Sequence, residues 1–353
     1  MIDILIAVLI FGLIIAIHEF GHFAVAKLCK IKVNKFAIGM GPRIFKFQKG
    51  ETEYSLRLFP IGGFCAMEGE DESSDDKRAF NNKCVWQRML VVIAGAAMNV
   101  ILGFVLLIIL TCMLTKIPSM EVDEFHRTLD ADGNVIEYNA ESYECGLRQG
   151  DIIRSMNGLR IFTDTDLAYK LSSTNEEEFD VVVIRDGEEI EIPNVKFGDN
   201  KNGGRLDFYL VGKERNPINV LSYAAKDTIS TARLIWLSLF DLVTGKYGVN
   251  ELSGPVGIVS TIGEAASIGE TIKEKVMSLL NLTIFITINV GVCNMLPIPA
   301  LDGGRFFFLI VEAIRRKPIK PEHEGYVHFA GMILLFALMI FATYNDILRL
   351  IKG

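Results

Sequence analysis

The sequence predicts a polytopic α-helical membrane protein of about four transmembrane helices, with a membrane-associated β-hairpin and a small α+β domain inserted between the spans. Three observations carry this. Half of the 353 residues are hydrophobic and the mean hydropathy is +0.33, which is too apolar for a water-soluble chain of that length. The apolar residues are bunched around Ile4 to Ile17, Met89 to Leu114, Val276 to Leu296 and Val327 to Ile347, as membrane spans require. Between the second and third runs the chain switches to short alternating segments and turn residues. The segments are therefore 1–116, 117–216, 217–274 and 275–353. The net charge of −7 names no partner, and no basic, aromatic-interleaved stretch exists, which excludes nucleic acid.

The first span carries the residues on which the reading turns. It has Asp3 in place of a basic leader and no small-x-small cleavage site, so it reads as a retained span, not a secretory signal. At its end stands His18-Glu19-Phe20-Gly21-His22. Histidines four apart on a helix are offset by about 40°, so both imidazoles reach one metal from successive turns. Glu19 lies on the same side, off the ligand axis, placed to take a proton from water as a general base. Such groups are costly at membrane depth and rarely occur there without a function. Ile4 to Ile17 rises about 21 Å as helix against a hydrocarbon core of about 30 Å, which leaves the motif inside the bilayer near its far face. Lys27, Lys30, Lys32, Lys35, Arg43, Lys46, Lys49, Arg78, Lys83 and Arg88 mark that face as cytoplasmic.

Phe45 to Gln48 and Tyr54 to Leu58 alternate in polarity about Lys49-Gly50, a hairpin signal. Two readings stand: a surface hairpin, or one that dips towards the site and offers a strand edge to an extended substrate. Glu68, Glu70, Asp71, Glu72, Asp75 and Asp76 then read as a solvated acidic loop. In the second span, Gly95-Ala96-Ala97-Met98-Asn99 allows close packing, and Asn99 serves either as interhelical glue or at the site.

In 117–216, Asp132-Gly133 and Asp186-Gly187 are hairpin turns, the latter joining Val181–Ile184 to Glu189–Ile192, and a helix is expected near Asp164 to Ser172. Gly146-Leu147, Gly150-Asp151-Ile152-Ile153 and Asn157-Gly158 resemble a PDZ domain of the bacterial periplasmic type. Charge asymmetry places this insert outside. Five cysteines fall in the membrane or the cytoplasm and only Cys145 lies in the insert, so no internal disulfide forms there.

Pro217 to Gly245 is helical but interrupted by Lys226, Asp227, Arg233 and Asp241, so an amphipathic helix at the outer membrane surface is expected. Leu252 to Ile258 reads as a turn-rich loop. The third span ends at Asn294-Met295-Leu296-Pro297-Ile298-Pro299-Ala300-Leu301-Asp302-Gly303-Gly304, where prolines and glycines break the helix among apolar residues. Membranes tolerate such a break only where protein or a cavity satisfies the backbone. Asp302 is the candidate third metal ligand, with a helix N-cap as its other reading. Arg305, Arg315, Arg316, Lys317 and Lys320 again mark the cytoplasmic side. The last span carries nothing polar of note, and His323 and His328 read as interface residues.

Taken together, His-Glu-Phe-Gly-His, Gly95 with Asn99, the PDZ-like insert, Ser-Gly-Pro-Val-Gly-Ile and Asn-x-x-Pro-x-Pro-x-Leu-Asp-Gly resemble the site-2 protease family, nearest its bacterial regulator-of-sigma-E type of intramembrane zinc metalloproteases. The resemblance spans essentially the whole chain. It implies that His18, His22 and Asp302 hold Zn2+, that Glu19 is the general base, and that Asn294 helps position the substrate or the oxyanion; Asn99 is the second candidate for substrate positioning. It implies single-pass membrane substrates, such as anti-sigma factors, or signal-peptide remnants, trimmed beforehand by another protease, in the bacterial cell membrane with the N-terminus and insert outside. Ala96 departs from the proline many members carry there. Two other classes remain, a non-catalytic membrane scaffold that binds through the PDZ-like domain and a metal carrier that uses the same histidines.

Overall fold

A computed structural model of the chain describes residues 2–70, 72, 74–129, 135–138, 140–173, 176–198, 206–246, 253–317, 319 and 321–352. In chain order it contains α1 (Ile2–Leu28), β1 (Val33–Lys49), β2 (Thr52–Met67), α2 (Val85–Met113), β3 (Ile117–Phe125), β4 (Arg127–Leu129), β5 (Val135–Tyr138) and α3 (Glu141–Glu144). Then follow β6 (Ile152–Met156), β7 (Leu159–Arg160), α4 (Asp164–Ser172), β8 (Phe179–Arg185), β9 (Glu188–Val195), β10 (Phe208–Lys213), α5 (Pro217–Val243), α6 (Pro255–Ser267), α7 (Ile272–Asn294), α8 (Asp302–Arg315) and α9 (Pro321–Lys352). Among the described residues four helices are long and apolar enough to cross a membrane, within α1, α2, α7 and α9. The chain divides into two compact units, 1–106 with 238–353, and 107–237.

In the first unit α1 crosses α2 at a glycine. A Cβ on Gly21 would stand 2.3 Å from the Ala94 carbonyl oxygen, so only hydrogen fits in the middle of the histidine motif. The helix runs straight through that motif to Leu28, well beyond the apolar run. Ala7 and Ile14 of α1 pack with Ile262 of α6 and Ile286 of α7. Gly254-Pro255-Val256-Gly257, expected as a loop, instead starts α6, with Pro255 in its first turn, where its missing N–H costs nothing; Leu252 lies outside the described residues. The cap comes from α9: Asp346 accepts from the Gly254 and Gly257 amides at 3.1 and 2.7 Å. The last span therefore does carry a buried polar residue, contrary to expectation. It is tolerated because two orphan helix N–H groups satisfy it.

β1 and β2 are far longer than the expected hairpin arms, and they close on Gly50-Glu51, one residue later than expected. Both strands bend, so that the segment 35–38 is flanked on two sides: Phe36 lies opposite both Cys65 and Tyr54. Tyr54 to Leu56 is also paired with 45–47. It is internal, and the expectation that a strand such as Tyr54 to Leu58 offers a free edge fails over that segment. Among the described residues the free edges are 43–49 and 63–67.

The second unit is built on a six-stranded antiparallel sheet ordered β10-β3-β6-β8-β9, with β7 on β6. Phe179, Phe197, Leu147, Ile153, Met156 and Val183 form its core. Asp186 and Gly187, with φ of +54° and +87°, make the turn between β8 and β9; Asp132-Gly133 lies outside the described residues. Buried Asp151 accepts from the Arg148 amide and from two nitrogens of Arg185, at 2.8, 2.7 and 2.8 Å, which explains the Gly150-Asp151 pair. In α5 the residues of this unit bury one face on α4: Asp227 accepts from Thr163 Oγ1 at 2.8 Å, and Arg233 donates to Asp166 at 2.6 Å.

Candidate active site

α1 brings the two histidines together because four residues are nearly one turn. His18 Nε2 and His22 Nε2 lie 3.2 Å apart. Asp302 reaches them from the first turn of α8, its Oδ2 3.1 Å from His18 Nε2 and 3.3 Å from His22 Nε2. It is not the N-cap of that helix, a place taken by Leu301. The carboxylate arrives there because the chain reverses tightly after α7. A Cβ on Gly303 would be 2.2 Å from Leu296 O and one on Gly304 2.5 Å from Ile298 O, so the proline loop closes directly on the helix it precedes.

The outer partners fix what these atoms present. His22 Nδ1 lies 2.8 Å from the Val91 carbonyl oxygen of α2. A carbonyl only accepts, so Nδ1 carries the ring proton and Nε2 presents a lone pair. His18 Nδ1 lies 3.3 Å from the side-chain amide of Asn99, whose other amide atom is buried without a partner. With the Asn99 amide oxygen turned towards His18, His18 Nδ1 donates to Asn99 and its Nε2 lone pair points to the same place. Asp302 Oδ2 is buried and, among the described residues, has no hydrogen-bond donor.

Three acceptor lone pairs held within 3.3 Å repel one another unless a cation sits among them. Their spacing suits zinc. Ligand atoms about 2.0–2.1 Å from a tetrahedral centre are about 3.3–3.4 Å from each other. Among the described residues this is the one group of three or more metal-binding side chains close enough to share an ion.

The three atoms open on a cavity of about 200 Å³ that Glu19 also lines, while its carboxylate stays outside the ligand cluster. Glu19 lies beside the edge segment of β2, its Cγ 3.0 Å from where a Cβ on Gly63 would stand. Phe64, Cys65 and Met67 of that edge line the cavity, with Val91 and Val92 of α2. So do two residues that the sequence concealed, Glu70 and Arg305, which form an ion pair with each other. Glu70 was hidden in a run of acids read as solvated, and Glu68 of that run is likewise engaged, accepting from Asn34 and Ser74 at 2.8 Å each; Asp71 lies outside the described residues. Asn99 is wholly buried behind His18 and does not line the cavity. Asn294 ends α7 and is not among the lining residues either.

Comparison with known proteins agrees with this geometry. The family model for peptidase family M50 matches residues 6–338. A putative zinc metalloprotease of Clostridium acetobutylicum is 35% identical, with 98% of this chain and 97% of that protein aligned. A putative zinc metalloprotease of Clostridium perfringens is 34% identical over 98% of each chain. The regulator of sigma-W protease RasP of Bacillus subtilis is 32% identical over 97% of each. The match covers the histidine motif, Asp302 and all or part of each described helix able to span a membrane, and the chain belongs to peptidase family M50, the site-2 proteases.

Proposed function

We propose that this protein is an intramembrane zinc metalloprotease that cuts single-pass membrane proteins. The enzyme class, a zinc-dependent metalloendopeptidase of the membrane, follows from the family and its zinc metalloprotease relatives. One observation carries the assignment of residues: the lone pairs of His18, His22 and Asp302 converge within 3.3 Å beside Glu19. His18, His22 and Asp302 hold the zinc, which when bound supplies Lewis acidity and lowers the pKa of water. The Glu19 carboxylate takes a proton from the attacking water as the C–O bond forms, then delivers it to the amine as the peptide C–N bond breaks. Asn99 orients His18 from behind, and Asn294, at the end of α7, positions the substrate.

A transmembrane helix hides its carbonyls in its own hydrogen bonds, so the substrate must unwind and be held extended. The 63–67 edge of β2 is the partner, since it lines the cavity and pairs on one side only with β1. The basic residues flanking α1 and α8 support an active site near the cytoplasmic face, with the PDZ-like unit outside. There that unit excludes substrates whose outer domains have not been trimmed. The exposed face of α5, with Ile218, Leu221, Ile229, Trp236 and Phe240 at helical spacing, lies on the membrane surface. The name of the Bacillus relative points to regulators of sigma factors as one substrate class; signal-peptide remnants are the other.

The test is a Glu19→Gln strain examined by mass spectrometry of membrane fragments. Accumulation of trimmed single-pass proteins, with zinc still bound to the purified variant, supports the reading. Unchanged fragments identify a scaffold, and zinc transport that survives the substitution identifies a carrier.

A further inference from the structure

On α9, His328 faces the loop that delivers Asp302. Ala300 in that loop has φ +75°, a left-handed conformation that a residue with a Cβ adopts only when something holds it. Its N–H donates to His328 Nδ1 at 2.8 Å. Nδ1 therefore has no proton, and the other ring nitrogen faces Glu324, 3.6 Å from Oε1. The same Glu324 oxygen lies 3.6 Å from Arg305 Nε, and Arg305 pairs in turn with Glu70. Glu70 Oε2 accepts from the Met67 amide at 3.1 Å. A continuous chain of contacts thus runs from a backbone amide at the end of the β2 edge to a backbone amide two residues before Asp302. α9 is held against the loop: a Cβ on Gly331 would be 2.5 Å from Pro299 O.

We infer that His328 is a positioning residue for the metal centre, holding the Pro297 to Leu301 loop, and with it Asp302, through Nδ1, and that Glu324, Arg305 and Glu70 tie this loop to the strand edge beside the cavity. The inference rests on the proposed metal-site assignment. Its physical content is that an acceptor, at the position of Nδ1, is what the loop needs. Packing volume alone does not stop Ala300 from leaving its left-handed conformation and carrying Asp302 away from the histidines.

The acceptor can be tested apart from the ring. Asparagine places its side-chain oxygen close to the position of Nδ1, whereas glutamine reaches towards that of Nε2. In the purified full-length protein, His328→Asn is expected to keep zinc affinity, measured by chelator competition, and turnover of a transmembrane substrate within about threefold. His328→Gln and His328→Leu should lose at least tenfold in both, and adding Ala300→Gly to His328→Leu should recover part of the loss, because glycine needs no help at positive φ. If the Asn and Gln variants behave alike, whether both intact or both impaired, the acceptor role is overturned. Wild-type protein that binds no zinc would instead overturn the functional reading beneath it, and His18→Ala serves as the zinc-free control.

Discussion

The sharpest consequence of this geometry concerns a residue with no chemistry of its own. A Cβ on Gly95 of α2 would lie 2.3 Å from His22 Nε2, 2.6 Å from His22 Cε1 and 2.8 Å from His18 Cε1. Ordinary contact begins near 3.4 Å, so in Gly95→Ala the His22 ring must retreat by about 1 Å. It has nowhere to go while Nδ1 keeps its 2.8 Å contact with Val91 O on the same helix as the new methyl. Nor can α1 move off easily, since Gly21 and Ala94 are already in backbone contact. Metal–ligand bonds tolerate about 0.2 Å, and the forced shift is several times that. Losing an outer partner of a ligand typically costs about 10–100-fold in metal affinity. Displacing the ligand itself should cost at least the upper figure, about 2.7 kcal/mol. Local helix propensity moves the other way, alanine being favoured by about 0.8–1.0 kcal/mol. The variant should therefore stay folded while zinc binding, read by chelator competition on the full-length protein, weakens at least a hundredfold and cleavage falls with it. A Gly95→Ala protein that binds zinc within twofold of wild type and cleaves normally would refute the placement of α2 against the histidines.

Other outcomes follow from the same structure. Glu19→Gln should retain zinc and lose cleavage by about 10²–10⁴-fold, the usual worth of general acid–base catalysis; parallel zinc loss would make Glu19 a ligand. In the 107–237 unit, burial, reinforced by Asp164 and Asp166, pushes the Asp227 carboxyl up to about 6 against hydrogen bonds from Thr165 and Thr163. The folded unit thus binds a proton between about pH 4 and pH 6 that the unfolded chain does not, so stability falls as pH rises through that window and then levels, by up to about 3 kcal/mol. Asp227→Asn should flatten that profile and stabilise the unit at pH 7, as seen by amide exchange in α4 on the intact protein; a slope that survives the substitution would assign the proton elsewhere. Asp346→Ala leaves the Gly254 and Gly257 amides without their buried acceptor and should cost about 1–3 kcal/mol. An unchanged melting temperature in detergent would show that water or backbone takes over the cap.

What the sequence disclosed and what it concealed divide along physical lines. Hydropathy over twenty residues and a four-residue spacing are local quantities, and the spans and the His18–His22 pair were legible from them. Asp302 was legible for a different reason: prolines and glycines breaking a helix among apolar residues mean that the backbone is satisfied by protein. Glu70 gave no such sign. In a run of six acidic residues nothing local separates the one that enters a cavity from those facing water, because the distinction comes from Arg305, 235 positions away. The strand edge failed for a similar reason. Alternation in Tyr54 to Leu58 marks a strand but is silent on how many neighbours it acquires, and the bend in β2 places 63–67, which has no such alternation, on the outside. From the sequence His328 reads as an interface residue, and Asp346 is passed over, because a single polar residue near the end of a long apolar helix usually reaches for the interface. Here both reach sideways to backbone amides instead.

The Asp346 contact shows why several of the chain's motifs join a polar residue to a glycine. Within lipid a polar side chain must end on a partner, and the partner on offer from a neighbouring helix is its backbone. Neighbouring helices and loops come closest to backbone where a Cβ is missing. Gly21 lets α1 meet α2, Gly95 makes room for the imidazoles, and Gly303 and Gly304 bring the proline loop onto α8. Gly257 works the same way for Asp346, since a Cβ there would stand 2.8 Å from Oδ1. On the proposed assignment of ligands, the glycines thus belong to the design of the site. The expected ordering is that substitution at Gly95 or Gly303 removes zinc as Asp302→Ala does, whereas substitution at Gly50, whose Cβ would meet nothing within 4 Å, leaves zinc in place even though that residue sits at positive φ in the hairpin turn. Zinc content across the four variants decides the matter: if Gly50 and Gly95 variants lose metal equally, the effect is general misfolding and the steric argument is wrong.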